Sequence, residues 1–211
     1  MRKLFILLFV MVGSLSANAQ YTGFKPLTNP DLFIKQFSSA SEKLTTIKSD
    51  FTQEKNMQML SDKIVSKGKF WFKKDNLMRM EYVSPFKYLV IINKNTVYIK
   101  DGEKENKISA GSNKLFKQIN KLMIDCVSGS VLNSKDYKAK VFEGNGLFLV
   151  EMSLLAKNLK DMFSTIRITI DKKDFSVNKI EMNEASGDNT ILIFHNKELN
   201  TNISDAVFSI K

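Results

Sequence analysis

Gly68-Lys69-Phe70-Trp71-Phe72-Lys73-Lys74-Asp75-Asn76-Leu77-Met78-Arg79-Met80-Glu81-Tyr82 reads as strand, turn and strand. In its second half Met78, Met80 and Tyr82 fall on one side, while Arg79 and Glu81 fall on the other. That period of two is the mark of a strand with one buried face. Lys73 to Asn76 supplies the polar turn, and Ser84-Pro85 breaks the run after Val83. Working outward, Leu89 to Ile92 and Thr96 to Lys100 form a hairpin across Asn93-Lys94-Asn95. Upstream, Phe51 opens a long strand through Glu54 and Met57. Downstream, Tyr137 to Phe142, Leu147 to Leu154, Thr165 to Asp171, Val177 to Asn183 and Thr190 to His195 read as further strands. Val207 to Ile210 reads as a short closing strand.

Two stretches change period. Asn29-Pro30-Asp31 combines a cap, a proline at the first helical position and an acid near the positive helix end. Phe33, Phe37, Ala40, Leu44 and Ile47 then follow at spacings of three and four, predicting one helix of about four turns. Between Ser112 and Val127, Leu115, Ile119, Leu122, Met123 and Cys126 share a second helical face, closed by Ser128-Gly129-Ser130. The expected architecture has roughly ten strands and two helices, joined mostly by hairpins. Parallel βαβ units need many more helices, so the chain is expected to form an antiparallel, strongly curved sheet with helices covering its open side.

Met1-Arg2-Lys3, the apolar run Leu4 to Val12 and the small residues Ala17-Asn18-Ala19 read as a cleavable signal peptide, residues 1–19, cut after Ala19. The apolar run is too short to span a bilayer. Residues 20–211 are then expected to form a single exported domain, periplasmic or secreted. The chain carries 32 Lys+Arg against 22 Asp+Glu, a net charge of +10. Nucleic acid fits that charge but not export, so no nucleic-acid partner is expected.

Chemistry-bearing residues are few. A single Cys excludes an internal disulfide or a multi-cysteine metal site. His195 is the lone histidine and ends a predicted strand, and Cys126 lies on an apolar helix face. Asp50 and Glu54 are ordinary alternating strand residues. No Gly-rich phosphate loop, G-x-S-x-G or H-E-x-x-H occurs. No catalytic residues, no metal site and no cofactor are expected. The apolar load is high instead, with 16 Phe and 10 Met, of which two each lie in the leader. Methionine adapts to irregular apolar shapes, which suits an acyl chain or an apolar peptide.

Phe51-Thr52-Gln53-Glu54-Lys55, following an amphipathic helix, resembles the F-T-Q opening of the periplasmic lipoprotein carrier family, LolA. The block Gly68 to Tyr82, ending at Ser84-Pro85, resembles that family's G-x-hydrophobic-W stretch, basic pair and following strand. The resemblance runs over roughly residues 30–210 and is specific over 47–100. It implies a mainly β fold: an incomplete, strongly curved antiparallel β-barrel with a helical lid, enclosing an apolar cavity. It implies a non-enzymatic carrier that takes acylated lipoproteins from an inner-membrane lipoprotein-releasing transporter and shields their acyl chains up to the outer membrane. On this resemblance Met78 occupies a cavity-facing position, and Met80, Tyr82, Phe70 and Phe72 extend the lining. A charge at Met78 is then expected to cripple binding and spare the fold. Phe33, Phe37, Leu44 and Ile47 become lid, together with Leu115, Ile119, Leu122 and Met123. Lys74 stands where the family places an arginine that bonds the closed lid, and lysine lacks the planar guanidinium fork. The sequence ends at Ile210-Lys211 without the longer tail associated with receptor steering, which leaves the outer-membrane receptor open.

Overall fold

The computed structural model describes residues 21–109, 114–128, 130–133 and 136–210. The signal peptide read over residues 1–19 lies outside them. Twelve antiparallel strands form one sheet: β1 (Lys25–Pro26), β2 (Thr46–Asn56), β3 (Ile64–Lys73), β4 (Leu77–Ser84), β5 (Tyr88–Asn93), β6 (Thr96–Asp101), β7 (Lys104–Ser109), β8 (Tyr137–Gly144), β9 (Leu147–Leu154), β10 (Phe163–Asp171), β11 (Val177–Glu184) and β12 (Asn189–Leu199). Their order is β1-β8-β9-β10-β11-β12-β2-β3-β4-β5-β6-β7, so β1 and β7 are edges and the sheet does not close into a barrel. The expected mainly β, incomplete barrel is the observed one, and the strand count exceeds the expected one by the short β1 and the polar β7.

Helix α1 (Pro30–Lys43) starts where the sequence places it. The Asn29 side chain accepts from the Leu32 N–H at 3.1 Å, and Pro30 takes the first helical turn. Its end departs from expectation. Leu44 caps the helix in an extended conformation, and Ile47 belongs to β2 rather than to the lid helix. The spacing of three that joined Leu44 to Ile47 also fits the strand set Ile47, Ser49, Phe51. Pairing of Ile47 with Phe72 on β3 and with Leu199 on β12 supplies backbone partners on both sides, which a longer helix could not offer.

Helix α2 (Lys114–Ser128) crosses the concave side, followed by a 3-10 turn (Ser130–Asn133), and a short α3 (Lys157–Lys160) precedes β10. Phe33 and Phe37 of α1 and Leu122, Cys126 and Val127 of α2 share one apolar cluster with the inner faces of β2 to β6 and β8 to β12. At the far end of α1, Phe33 lies 4.4 Å from Phe148 between ring centroids, and Phe175 adds a third ring.

The chain past β12 does not form the expected closing strand at Val207 to Ile210. Asp205–Phe208 is a 3-10 turn that packs on the outer, convex face of the sheet. There Phe208 joins Leu77, Ile91, Tyr98 and Ile203 in a second apolar cluster, with Trp71 against it. Pairing beside β12 was not available, because both of its sides are already taken by β11 and β2. Side chains of the sheet receive the tail's carbonyls instead. Lys73 Nζ donates to Ile203 O at 3.0 Å, Arg79 to Val207 O at 3.2 Å and Asn93 to Phe208 O at 3.1 Å.

Candidate functional site

The inner face of the quoted hairpin is in register: Phe70 opposite Met80, Phe72 opposite Met78, and Gly68 opposite Tyr82. On the far side of β4, Met78 pairs with Ile92, Met80 with Val90 and Tyr82 with Tyr88. Gly68 is needed here, since a Cβ would lie 2.3 Å from Glu81 O and 2.6 Å from the Phe51 ring. The lining expected from sequence is thus brought together. Phe70, Phe72, Met78 and Met80 are 1–5% exposed, so side chains of the sheet and the two helices fill the apolar interior. Of the expected lid residues, Phe33, Phe37 and Leu122 are buried against this lining, and Leu44 and Met123 are half-buried at its margin. Leu115 and Ile119 fall on α2, but their side chains lie outside the described set. Ser49 also faces inward, between Ile47 and Phe51, and its buried hydroxyl has no hydrogen-bond partner among the described residues.

Towards the β2–β3 and β4–β5 turns the inward positions become polar. The Tyr82 hydroxyl donates to Gln53 Oε1 at 2.8 Å, and its ring meets Phe51 edge-on at 4.9 Å and Tyr88 at 5.6 Å. Burial, with a smaller contribution from Tyr88, pushes the Tyr82 pKa up to about 12, so the phenol stays a donor through the physiological range. Gln53, Ser66, Tyr82, Tyr88 and Asp101, with Pro85 and Phe86, border a crevice of about 340 Å³. The interior therefore grades from an apolar floor to a polar mouth.

Lys74 sits at the opposite end of the same hairpin. Asp75 and Asn76 take left-handed conformations (φ 72° and 64°), which short polar side chains tolerate, and so keep the turn tight. Lys74 Nζ donates to the Glu42 carbonyl at 3.0 Å, and its backbone N–H donates to Thr45 O at 2.8 Å. A cation on the last carbonyls of a helix is favourable, because those carbonyls carry the negative end of the helix dipole. Lys74 thus reaches the end of α1 through a single ammonium donor. Around it Ser41, Leu44, Phe72, Ile124 and Asp125 border a crevice of about 280 Å³, the seam between α1, α2 and the sheet. Ser41 Oγ donates to Ser128 O at 2.6 Å, and Lys121 bonds Asp125 at 2.6 Å. Sequence reasoning missed Ser41 and Gln53, since neither sits on an apolar stripe that would mark it.

Among the described residues, His195 and Cys126 lie apart from each other. His195 Nε2 lies 3.2 Å from Thr52 Oγ1 at the surface. Burial drives the Cys126 thiol pKa well above its usual range, so it stays a protonated, unreactive apolar group. Among the described residues no group of three or more His, Cys, Asp or Glu is placed to hold a metal ion. Among them also, no helix is long and apolar enough to cross a membrane. On the outer face Arg167 donates to Glu181 at 2.7 Å and to the Tyr21 hydroxyl at 2.9 Å, with its guanidinium 5.0 Å from the Tyr21 ring centroid. What the arrangement offers is a buried apolar surface under two amphipathic helices.

No curated protein matches the chain. Among solved structures, the MucA/MucB complex of Pseudomonas aeruginosa is similar in fold, with a TM-score of 0.52 and 10% identity, covering 85% of this chain and 61% of that one. A LolA superfamily protein from Nitrosomonas europaea aligns at 0.45 and 8% identity, over 84% and 97% of the two chains. Lipoprotein LppX of Mycobacterium tuberculosis aligns at 0.45 and 9%, over 82% and 98%. The family model for outer membrane lipoprotein carrier protein LolA matches residues 42–211, from the end of α1 through the whole sheet from β2 on. The chain therefore belongs to the LolA family, as a divergent member.

Proposed function

We propose that this protein is an exported, non-enzymatic carrier that shields the acyl chains of lipoproteins between an inner-membrane lipoprotein-releasing transporter and the outer membrane. The observation that carries the reading is the inward row Phe70, Phe72, Met78 and Met80, covered by two amphipathic helices and continuous with a polar mouth. An acyl chain crossing water needs such cover, because each methylene buried is worth about 0.8 kcal/mol. In the closed form the lining is covered by α1 and α2, so cargo enters only as those helices lift. The acyl chains then replace the helices on the same surface. Loading exchanges one apolar contact for another, which keeps net binding modest and release feasible. Ser49, the inward hydroxyl without a hydrogen-bond partner among the described residues, is the group proposed to meet an ester or amide carbonyl of the cargo.

The test is native mass spectrometry with lipid extraction on the processed protein purified from its own envelope. Acylated lipoprotein bound one-to-one is the expected result. Phospholipid or free fatty acid in its place would move the cargo assignment to a lipid shuttle of the same fold. An empty protein that also takes up no fluorescent fatty acid would end the carrier reading.

Lys74 is proposed as the closing contact. Its bond to Glu42 O is exposed and is worth about 0.5–1 kcal/mol. Lys74→Leu weakens the closed state by that amount, so the open, cargo-competent form gains about two- to fivefold and cargo is held more tightly by the same factor. Titration with a fluorescent fatty acid reads this directly, and an unchanged dissociation constant would remove Lys74 from the closing role.

A further inference from the structure

Eight large apolar side chains are exposed among the described residues, and six of them cluster: Met59, Leu60, Ile64, Val65, Val83 and Phe86. They belong to two turns. Met59 (93% exposed) and Leu60 lie between β2 and β3, with Ile64 and Val65 just after them, and Val83 and Phe86 (78% exposed) bracket the Ser84-Pro85 break between β4 and β5. The register puts both turns at one end of the sheet, since Lys55 pairs with Ile64 and Lys67 with Ser84. Exposed Lys67 and Lys87 lie among these apolar residues, as does Lys63, which is ion-paired with Glu54 at 2.8 Å, and Asp62 is the acid on the same two turns. The β3–β4 turn and α1, at the other end, carry no such set.

We propose that this end of the molecule docks on an anionic lipid bilayer, with Phe86, Met59 and Leu60 entering the headgroup boundary and the lysines meeting lipid phosphates. Apolar residues borne on two separate turns suit a soft surface that admits each tip independently. A folded protein partner would instead need one continuous complementary face. Lysine stems lie along apolar surface while the ammonium stays at the phosphate level, which fits their interleaving. The net charge of +8 that remains from +10 once Arg2 and Lys3 leave with the signal peptide adds a long-range attraction to the same surface. Phe86 and Pro85 also border the polar mouth, so docking there faces the mouth to the bilayer. That last consequence rests on the carrier reading; the docking itself does not.

Vesicle flotation of the signal-processed protein tests it, using phosphatidylcholine vesicles with and without phosphatidylglycerol. Binding to the phosphatidylglycerol vesicles is expected, falling about tenfold in Met59→Glu/Leu60→Glu, with the urea midpoint unchanged because both side chains are exposed. Fatty-acid uptake by the double variant in vesicle-free solution should match wild type, which separates a failure of docking from a failure of the carrier reading. No flotation of the wild-type protein, or equal flotation of the double variant, would overturn the proposal. Loss of all binding at 0.5 M salt would do so too, because it would reduce the attraction to diffuse lysine charge.

Discussion

Met78→Glu is expected to destabilise this protein by about 3–5 kcal/mol at neutral pH. Met78 is 2% exposed, lies between Phe72 on β3 and Ile92 on β5, and belongs to the cluster that α1 and α2 complete. A glutamate there faces apolar neighbours on every side, and an unpaired buried charge costs about 3–5 kcal/mol. A domain of this size has a total stability of about 5–15 kcal/mol, so the loss removes a large part of it. Burial raises the glutamate pKa in the folded state above its unfolded value of about 4.3. The folded protein then binds more protons than the unfolded one across that interval. The deficit is therefore small below the unfolded pKa and grows as pH rises through the folded one. Urea melts at pH 4 and pH 7 check both parts, with Met78→Leu as a control expected to cost less than about 1.5 kcal/mol. The alternative expectation, that Met78 is a cavity wall where charge cripples binding and spares the fold, holds only if the pH 7 midpoint of Met78→Glu equals that of wild type.

Phe208→Ala is expected to cost about 3–5 kcal/mol, as large as a change in the main core. Phe208 is 0% exposed although it lies near the end of the chain, on the outside of the sheet. Its ring fills the space between Leu77, Ile91 and Tyr98, and three sheet side chains fix the carbonyls of residues 203, 207 and 208 around it. Removing the ring leaves a hole that this bonded backbone cannot collapse into. Trp71, the only tryptophan, packs on the same cluster and lies 5.7 Å from the Arg79 guanidinium, so its fluorescence reports the change. The sheet separates this cluster from the inner face, so the folded fraction should bind a fatty-acid probe as wild type does. A change below about 1 kcal/mol would mean that the tail is an ornament on the sheet and not part of its core.

Much of the site was legible in the sequence because it obeys short-range rules. Alternation in Leu77 to Val83 places Met78 and Met80 inward whatever the neighbours are, and the register with Phe70 and Phe72 follows from a tight turn at Asp75-Asn76. Asn29-Pro30 starts α1 by local capping alone. The turn also carries Lys74 to the end of α1, as the family pattern implies.

Other features depended on partners far along the chain. Ile47 fits both a helical stripe and a strand, and only pairing with Phe72 and Leu199 decided between them. Val207 to Ile210 is too short for its pattern to reveal that it packs across the convex face, because that requires the apolar patch at Leu77, Ile91 and Tyr98, assembled from three strands. Periodicity likewise reports which side chains face inward and not what meets them there. The sequence by itself determined ten of the twelve described strands, the two amphipathic helices and the apolar inner row. The tertiary structure decided that α1 and α2 close over that row and that the exposed apolar residues gather at one end. Both are sums over long-range contacts, which no local window of sequence contains.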